Sequence, residues 1–339
     1  MRQVELRGPR DIKVAEAADP TPSVGEVLVE AKATALCGTD IHIYAGDTPV
    51  SYPRVPGHEA TGVVREVGEG VDAFAPGDHV VFNPNLNCWS CERCILGKEN
   101  LCESIQLLGR EVDGTMSQLL TMPQTHTFRI PDDMAFGLGA LIQPLSTAVH
   151  AQSLVDIKPS ESAAVLGLGG TGLMHVQLSK LAGAYPVIAV GRSPWKLELA
   201  DKFGADIIIS ARDKDPVAEV RRAAGGDGAN VVIEAVGSPE TMHQALAMTK
   251  PGGRMLGFGI TPLPWDGIQL LQLYLNQLTM MFSRATTRAN FFRTVNLVTS
   301  GQIDLAPLLT REYDMADAAE AFRATEEEQS QVLRVVIRH

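Results

Sequence analysis

The sequence is most informative first for what it lacks. Its opening residues, Met1-Arg2-Gln3-Val4-Glu5, carry no basic stretch leading into an apolar core, so no secretory leader is expected. No run of about eighteen apolar residues is present to span a bilayer, and a cytoplasmic protein without membrane partners is the expectation. Positive charge is in short supply. Lysine and arginine number 29 against 40 acidic residues, a formal net charge of −11, and no basic block stands out. A surface of that sign repels polyphosphate chains, so a nucleic-acid partner is not expected. Internal repeats and low-complexity tracts are missing as well. What remains is 45% hydrophobic and 20% charged, the balance of a packed globular chain, and its 339 residues suit two domains of ordinary size.

Cysteine is scarce too, but unevenly placed. Of five cysteines, Cys88, Cys91, Cys94 and Cys102 crowd into one loop, while Cys37 stands alone. In a chain without an export signal, crowded thiols read as metal ligands before disulfides. Four soft donors at these spacings let a single loop wrap a tetrahedral zinc at little closure entropy. Four protein ligands leave no open position, so the expected role is structural. An iron–sulfur cluster is the competing four-thiolate chemistry, but the common ferredoxin run ends in a three-residue gap and a proline that are absent here. Unligated or disulfide-linked cysteines are the plainer alternative.

The first third alternates short β-rich runs, Val27 to Ala31, Ala60 to Val67 and His79 to Phe82, with the turns Gly68-Glu69-Gly70 and Pro76-Gly77-Asp78. A compact, mostly antiparallel β domain is predicted there. From about Ser162 the pattern changes. A strand at Ala163 to Leu166 leads through glycines into a helix at Thr171 to Ala182. A strand at Pro186 to Val190, a helix at Pro194 to Phe203 and a strand at Ile207 to Ile209 come next. Val231 to Ala235 and Arg254 to Phe258 read as further strands. Such alternation predicts a doubly wound parallel sheet, so the fold class is α/β. Near the end, Ala316 to Ala324 reads as helix and Val332 to Ile337 as a last strand.

Gly167-Leu168-Gly169-Gly170-Thr171-Gly172 fits G-x-G-x-x-G in the required setting, after a strand and at the start of a helix. Gly167, Gly169, Gly170 and Gly172 would permit the tight turn, backbone approach to a pyrophosphate and close helix–strand packing. The tip of the following strand selects the dinucleotide. An NAD site usually carries an acid there for the ribose 2′-hydroxyl, whereas this chain reads Val190-Gly191-Arg192-Ser193. Gly191 makes room, Arg192 can pair with a 2′-phosphate and Ser193 can add a hydrogen bond, so NADP(H) is expected in preference to NAD(H). Alternatively, Arg192 is only a solvated loop charge.

Two further runs, Cys37-Gly38-Thr39-Asp40-Ile41-His42 and Gly57-His58-Glu59, hold dispersed metal-type donors. A catalytic zinc takes about three protein ligands and an open position. Cys37 and His58 could be two of them, with Asp40 or Glu59 orienting the imidazole. Taken alone, a lone cysteine after an apolar run is more often a buried core thiol, and a lone histidine beside glycine more often a satisfied loop residue. Together with Gly57-His58-Glu59-Ala60-x-Gly62 and the four-cysteine loop, however, the chain resembles the zinc-dependent medium-chain alcohol dehydrogenases over nearly its whole length. Gln143-Pro144-Leu145 and the helix after it look most like the polyol (sorbitol) and threonine dehydrogenase branch.

The resemblance implies a β-rich GroES-like catalytic domain, residues 1–145 and 286–339, and a Rossmann dinucleotide-binding domain, residues 146–285. It implies that Cys37 and His58 ligate a catalytic zinc. Thr39 would pass the alcohol proton through the cofactor ribose to His42. The substrate would be a small secondary alcohol, polyol or matching ketone, and the protein a homodimer or homotetramer with subunit contacts near Ile260 to Gln272. One departure stands out: that branch usually has glutamate where this chain has Gln143. Either Gln143 ligates weakly, Glu59 swings in, or the site is partly empty. A zinc-independent NADPH-dependent enone or quinone reductase on the same scaffold, and a non-catalytic NADP-binding protein, are the alternatives. Neither needs the proton path that Thr39 and His42 would form.

Overall fold

The computed structural model describes residues 1–339. The chain forms two compact units, Met1–Ser146 with Ala285–His339, and Thr147–Arg284. No helix is long and apolar enough to cross a membrane.

In the first unit a seven-stranded sheet is organised around Glu26–Ala35, which pairs antiparallel with Glu59–Val67, Leu119–Pro123 and Arg334–Arg338. Its residues Val27, Val29 and Ala31 alternate inward onto Val64, Val80, Phe82 and Met122, the two-residue period of a half-buried strand. The sheet is antiparallel except at one place. Leu309–Asp314 runs parallel to Arg334–Arg338, joined across the helix Ala318–Glu327, the crossover that a parallel pair requires.

Register in this sheet brings two distant donors together. Ala35 lies opposite Glu59. Cys37 is two residues beyond one strand end and His58 one residue before the other, so antiparallel pairing carries them to the same edge.

The second unit holds six parallel strands in the order Ile207–Ser210, Val187–Gly191, Ala163–Leu166, Ala229–Glu234, Thr249–Gly257, Thr279–Phe282. The central strands are near-continuous apolar runs because both faces are covered: all four residues of Ala163–Leu166 and all five of Val187–Gly191 are buried. Three of the covering helices, Pro194–Lys202, Pro216–Ala223 and Pro239–Met248, begin on proline after Ser193, Asp215 and Ser238. Proline fits there because the first helical N–H has no intrahelical acceptor to lose.

Several boundaries differ from the sequence reading. The strand expected from Arg254 begins at Thr249. The C-terminal helix begins at Ala318, after a short 3-10 turn over Met315–Asp317. The helix expected after Gln143-Pro144-Leu145 already begins at Ile142, since proline in a first turn forfeits no internal hydrogen bond. The edge strand Thr279–Phe282 and the helix Gly38–Ala45 had no periodic signal. The first is half-exposed, and the second has Asp40 folding back on the backbone N–H of Cys37 at 2.9 Å.

His175, in the helix Gly170–Leu181, is completely enclosed. Its Nδ1 meets the Gln152 amide at 3.2 Å, and its ring stands edge-on to Phe258, centroids 4.6 Å apart. Burial pushes its pKa down to about 3. The unfolded chain, titrating near pH 6.5, therefore takes up the proton first. This contribution is fully present above about pH 6.5 and is lost as pH falls towards the folded value, at up to about 1.4 kcal/mol per pH unit. Between about pH 7.5 and about pH 5 the melting temperature of the wild type should fall more steeply than that of His175→Phe. Parallel declines would remove His175 from the acid response.

Candidate metal and dinucleotide sites

The four cysteines predicted to share a metal are brought together. Cys88 and Cys94 sulfurs are 4.0 Å apart, Cys91 and Cys102 4.0 Å, and Cys88 and Cys102 3.5 Å. Sulfurs about 2.3 Å from a tetrahedral zinc stand about 3.8 Å from one another, whereas a disulfide needs about 2.05 Å. All four thiols are free. Their protonation preferences conflict. The N–H of Ser90 leads in pulling the Cys88 thiol down to about 5, while burial and the neighbouring sulfurs push Cys94 up to about 12. A divalent cation resolves that conflict by favouring every thiolate at once. The cluster suits a structural zinc.

At the sheet edge, a Cys37 sulfur, a His58 ring nitrogen and a Glu59 carboxylate oxygen all lie within 4.8 Å of one another. Asp40, fully buried, organises them. One oxygen accepts the N–H of Cys37 at 2.9 Å. The other accepts the N–H of Gly57 at 3.0 Å and stands 3.4 Å from His58 Nδ1. With Nδ1 so engaged, Nε2 is the ring nitrogen left for a metal. Burial works against a charged His58, but the charges of Asp40 and Cys37 outweigh it and hold its pKa well above the usual value.

Gly57 is glycine for two reasons. Its φ is +95°, and a Cβ there would stand 2.9 Å from the side chains of Met116, Thr115 and Thr34.

Glu59 needs no large swing to approach an ion bound by Cys37 and His58. Burial raises its pKa, opposed chiefly by the guanidinium of Arg334, whose Nη1 lies 3.2 and 3.3 Å from the two carboxylate oxygens. Arg334 was missed in the sequence. Its only trace is a lone charge inside the apolar run Val332-Leu333-Arg334-Val335-Val336.

Gln143 is buried in the first turn of the helix Ile142–Val155, its carbonyl accepting from Ser146 Oγ at 2.6 Å. Thr39 Oγ1 is 3.8 Å from the Cys37 sulfur. His42, on the same helix, is exposed, with Nδ1 3.4 Å from Asp47.

The glycine turn of the second unit is shaped as its motif requires. Gly167 has φ +99°, and a Cβ on Gly172 would lie 1.8 Å from the Gly167 carbonyl oxygen, so only glycine lets this helix close on its strand. A Cβ on Gly169 would meet nothing within 4 Å, which leaves that backbone open to a ligand. Glu234, another residue missed in the sequence, ends the neighbouring strand. Its Oε1 accepts from the N–H of Val236, the N–H of Gly237 and Thr241 Oγ1, at 2.8, 2.9 and 2.7 Å.

At the next strand tip Arg192 is exposed, and the Ser193 side chain does not cap the helix it precedes. Gly191 lies against Leu168, whose Cδ1 would stand 2.7 Å from a Cβ at this position, so the glycine also makes room for a neighbouring side chain.

Residues 23–132 match the alcohol dehydrogenase GroES-like domain family and residues 170–300 the zinc-binding dehydrogenase family. Over 344 residues the chain is 30% identical to sorbitol dehydrogenase of Bacillus subtilis (strain 168), covering 99% of this chain and 97% of that one. The chain belongs to the zinc-type medium-chain alcohol dehydrogenases, in their polyol and threonine dehydrogenase branch.

Another relative in this family, L-threonine 3-dehydrogenase of the same strain, is 32% identical over 314 residues, 89% of each chain. Among solved structures, a zinc-binding dehydrogenase from Sinorhizobium meliloti 1021 bound to NADP superposes with a TM-score of 0.93 at 29% identity, covering 100% of this chain and 99% of that one. The rspB alcohol dehydrogenase of Escherichia coli CFT073, complexed with NADH, gives the same TM-score, identity and coverage. The zinc-type alcohol and polyol dehydrogenase activity of the family is therefore this chain's enzyme class.

Asp40→Ala should weaken metal retention at Cys37 and His58 about 10- to 100-fold in chelator competition, while the four-cysteine metal is unaffected. Unchanged retention at both would show that the imidazole needs no such anchor.

Proposed function

We propose that this dehydrogenase interconverts a small secondary alcohol or polyol and its ketone with NADP(H) in preference to NAD(H), using a zinc held by Cys37 and His58. The observation that carries the reading is the convergence of the Cys37 sulfur, the His58 ring and the Glu59 carboxylate within 4.8 Å, with Asp40 fixing the ring. Gln143 would complete the set as a weaker, neutral amide donor, while Glu59 stays paired with Arg334 beside the ion.

Zinc supplies a Lewis acid that polarises the substrate oxygen, and the dinucleotide gives or takes the hydride. The residues do the rest. His58, held at Nδ1 by Asp40, keeps its ligating nitrogen aimed. Thr39 would take up the proton of the substrate hydroxyl as it gives up its own, and His42, exposed on the same helix, would be the group that releases a proton to solvent. This proton path favours alcohol chemistry over reduction of an enone or a role without turnover, because neither of those releases an alcohol proton.

Support for NADP(H) is the strand tip, where Arg192 and Ser193 replace the usual acid and can pair with a 2′-phosphate. The solved relatives include both an NADP and an NADH complex, so the family alone does not choose. Subunit association is proposed from the second unit. Thr279–Phe282 is an edge strand, and Ile260, Leu270, Tyr274 and Phe282 are 87%, 76%, 81% and 57% exposed. An open edge among exposed apolar side chains is a surface that a second copy would cover.

A ketone panel with NADPH and NADH, with and without added zinc, tests the function. We expect ketone reduction, about two zinc ions per chain, and near-complete loss of turnover in Cys37→Ala. Arg192→Ala should raise KM for NADPH about tenfold or more and leave NADH nearly unchanged. Zinc-independent reduction of enones alone, or equal kcat/KM with NADH in the wild type, would overturn the corresponding part. In light scattering the particle mass should be two or four times the 36.4 kDa chain and should fall in Tyr274→Glu. A monomer at micromolar concentration would end the oligomer proposal.

A further inference from the structure

The loop of four cysteines has little apolar core of its own. Its regular structure is one short helix, Glu92–Ile95, and a 3-10 turn, Glu99–Leu101, beside the two-residue ribbon Asn85–Leu86 with Gln106–Leu107. Ile95 and Leu96 lie largely in solvent. One of its residues nevertheless carries a buried charge that ligates nothing. Glu99 is 4% exposed, and its Oε1 accepts the backbone N–H of Arg288, a residue 189 positions away. Arg288 is the first residue of the helix Arg288–Thr299, so its N–H is one that the helix itself leaves unpaired, and a carboxylate there also meets the positive end of the helix dipole. The loop touches Arg288 a second time, its guanidinium lying 6.0 Å from the ring of Trp89, the residue after Cys88.

From that helix start, hydrogen bonds continue inward, the last two of them buried. Thr287 caps the helix by accepting from the N–H of Asn290 at 3.2 Å. Thr286 Oγ1 donates to the Ser146 carbonyl at 3.1 Å, and Ser146 Oγ donates to the Gln143 carbonyl at 2.6 Å. On the loop side, the Glu99 carbonyl accepts from the N–H of Cys102 at 3.0 Å and from Asn87 Nδ2 at 2.5 Å.

We infer that Glu99 is a positioning residue through which the four-cysteine loop, closed on its metal, holds the helix turn that carries Gln143. The loop metal orders the loop, the loop presents Glu99, and Glu99 fixes the start of Arg288–Thr299. Thr286 and Ser146 then restrain the turn from which Gln143 would reach the other ion. The last link rests on the reading of Gln143 as a metal donor; the links before it do not.

Hydrogen exchange by mass spectrometry on the zinc-loaded enzyme, combined with chelator competition, tests the inference. In Glu99→Ala, exchange should rise about tenfold in segments 286–291 and 142–146. Zinc should leave the Cys37 site about tenfold faster while the four-cysteine zinc stays. Glu99→Gln, whose amide oxygen still accepts the Arg288 N–H, should restore most of the protection. Faster exchange confined to 286–291, with 142–146 and the second zinc unchanged, would overturn the inference and leave Glu99 a local helix cap. Should Glu99→Ala not fold, Cys88→Ser in the wild-type background decides, because it removes one thiolate from an exposed position of the loop and leaves Cys37 untouched: segment 142–146 must lose protection, and continued protection there refutes the coupling. A wild type with zinc only in the loop would instead refute the metal reading at Cys37 and His58, while the exchange coupling is judged on its own result.

Discussion

Asp40 is the constraint on which the sheet edge gathering Cys37, His58 and Glu59 depends. Strand register brings Cys37 and His58 to the same place, but proximity does not aim a ligand. One carboxylate, withdrawn from solvent, binds the backbone before a helix, the backbone of a glycine turn and an imidazole nitrogen. Removing it would leave two N–H groups and a ring nitrogen buried without partners, each a cost of about 1–3 kcal/mol. The turn it holds is packed so closely that Gly114 and Gly109 on the facing loop must also be glycine; Cβ atoms there would lie 2.3 and 2.9 Å from the Gly57 backbone.

Charge is the second constraint. Glu59 and Arg334 are both buried, 1% and 7% exposed, and each makes the other's burial tolerable. The pair joins the start of one strand to the C-terminal strand, so the last residues of the chain help to close the site begun by the first forty. Gln143, buried at the start of the helix Ile142–Val155, offers a neutral amide, whereas the acid that does lie with Cys37 and His58, Glu59, is already paired with an arginine.

In the dinucleotide unit the governing quantity is distance of approach. Gly172 against Gly167, and Gly167 against Val236, are contacts that any side chain would break. Glu234 holds the adjoining loop by three hydrogen bonds to one oxygen. At the neighbouring strand tip, Gly191 lies against Leu168, while Arg192 is turned to solvent.

Much of this was legible in the sequence because it depends on local spacing. Four cysteines within one loop, a glycine run between strand and helix, and apolar runs punctuated by turns each carry their physical reason within a few residues, so the cluster, the glycine turn and the parallel sheet could be read directly. The pairing of Cys37 with His58 could be suggested by donor type and was strengthened by resemblance, but local spacing could not carry it, since 21 positions separate them and a strand register joins them. Arg334 beside Glu59, Glu99 beneath Arg288, and Leu168 filling the space at Gly191 lay beyond the sequence altogether. A buried charge is tolerated only where a distant partner answers it, and a Cβ is forbidden only where a distant atom stands. Local pattern determined which chemistry the chain carries; tertiary packing decided which groups meet.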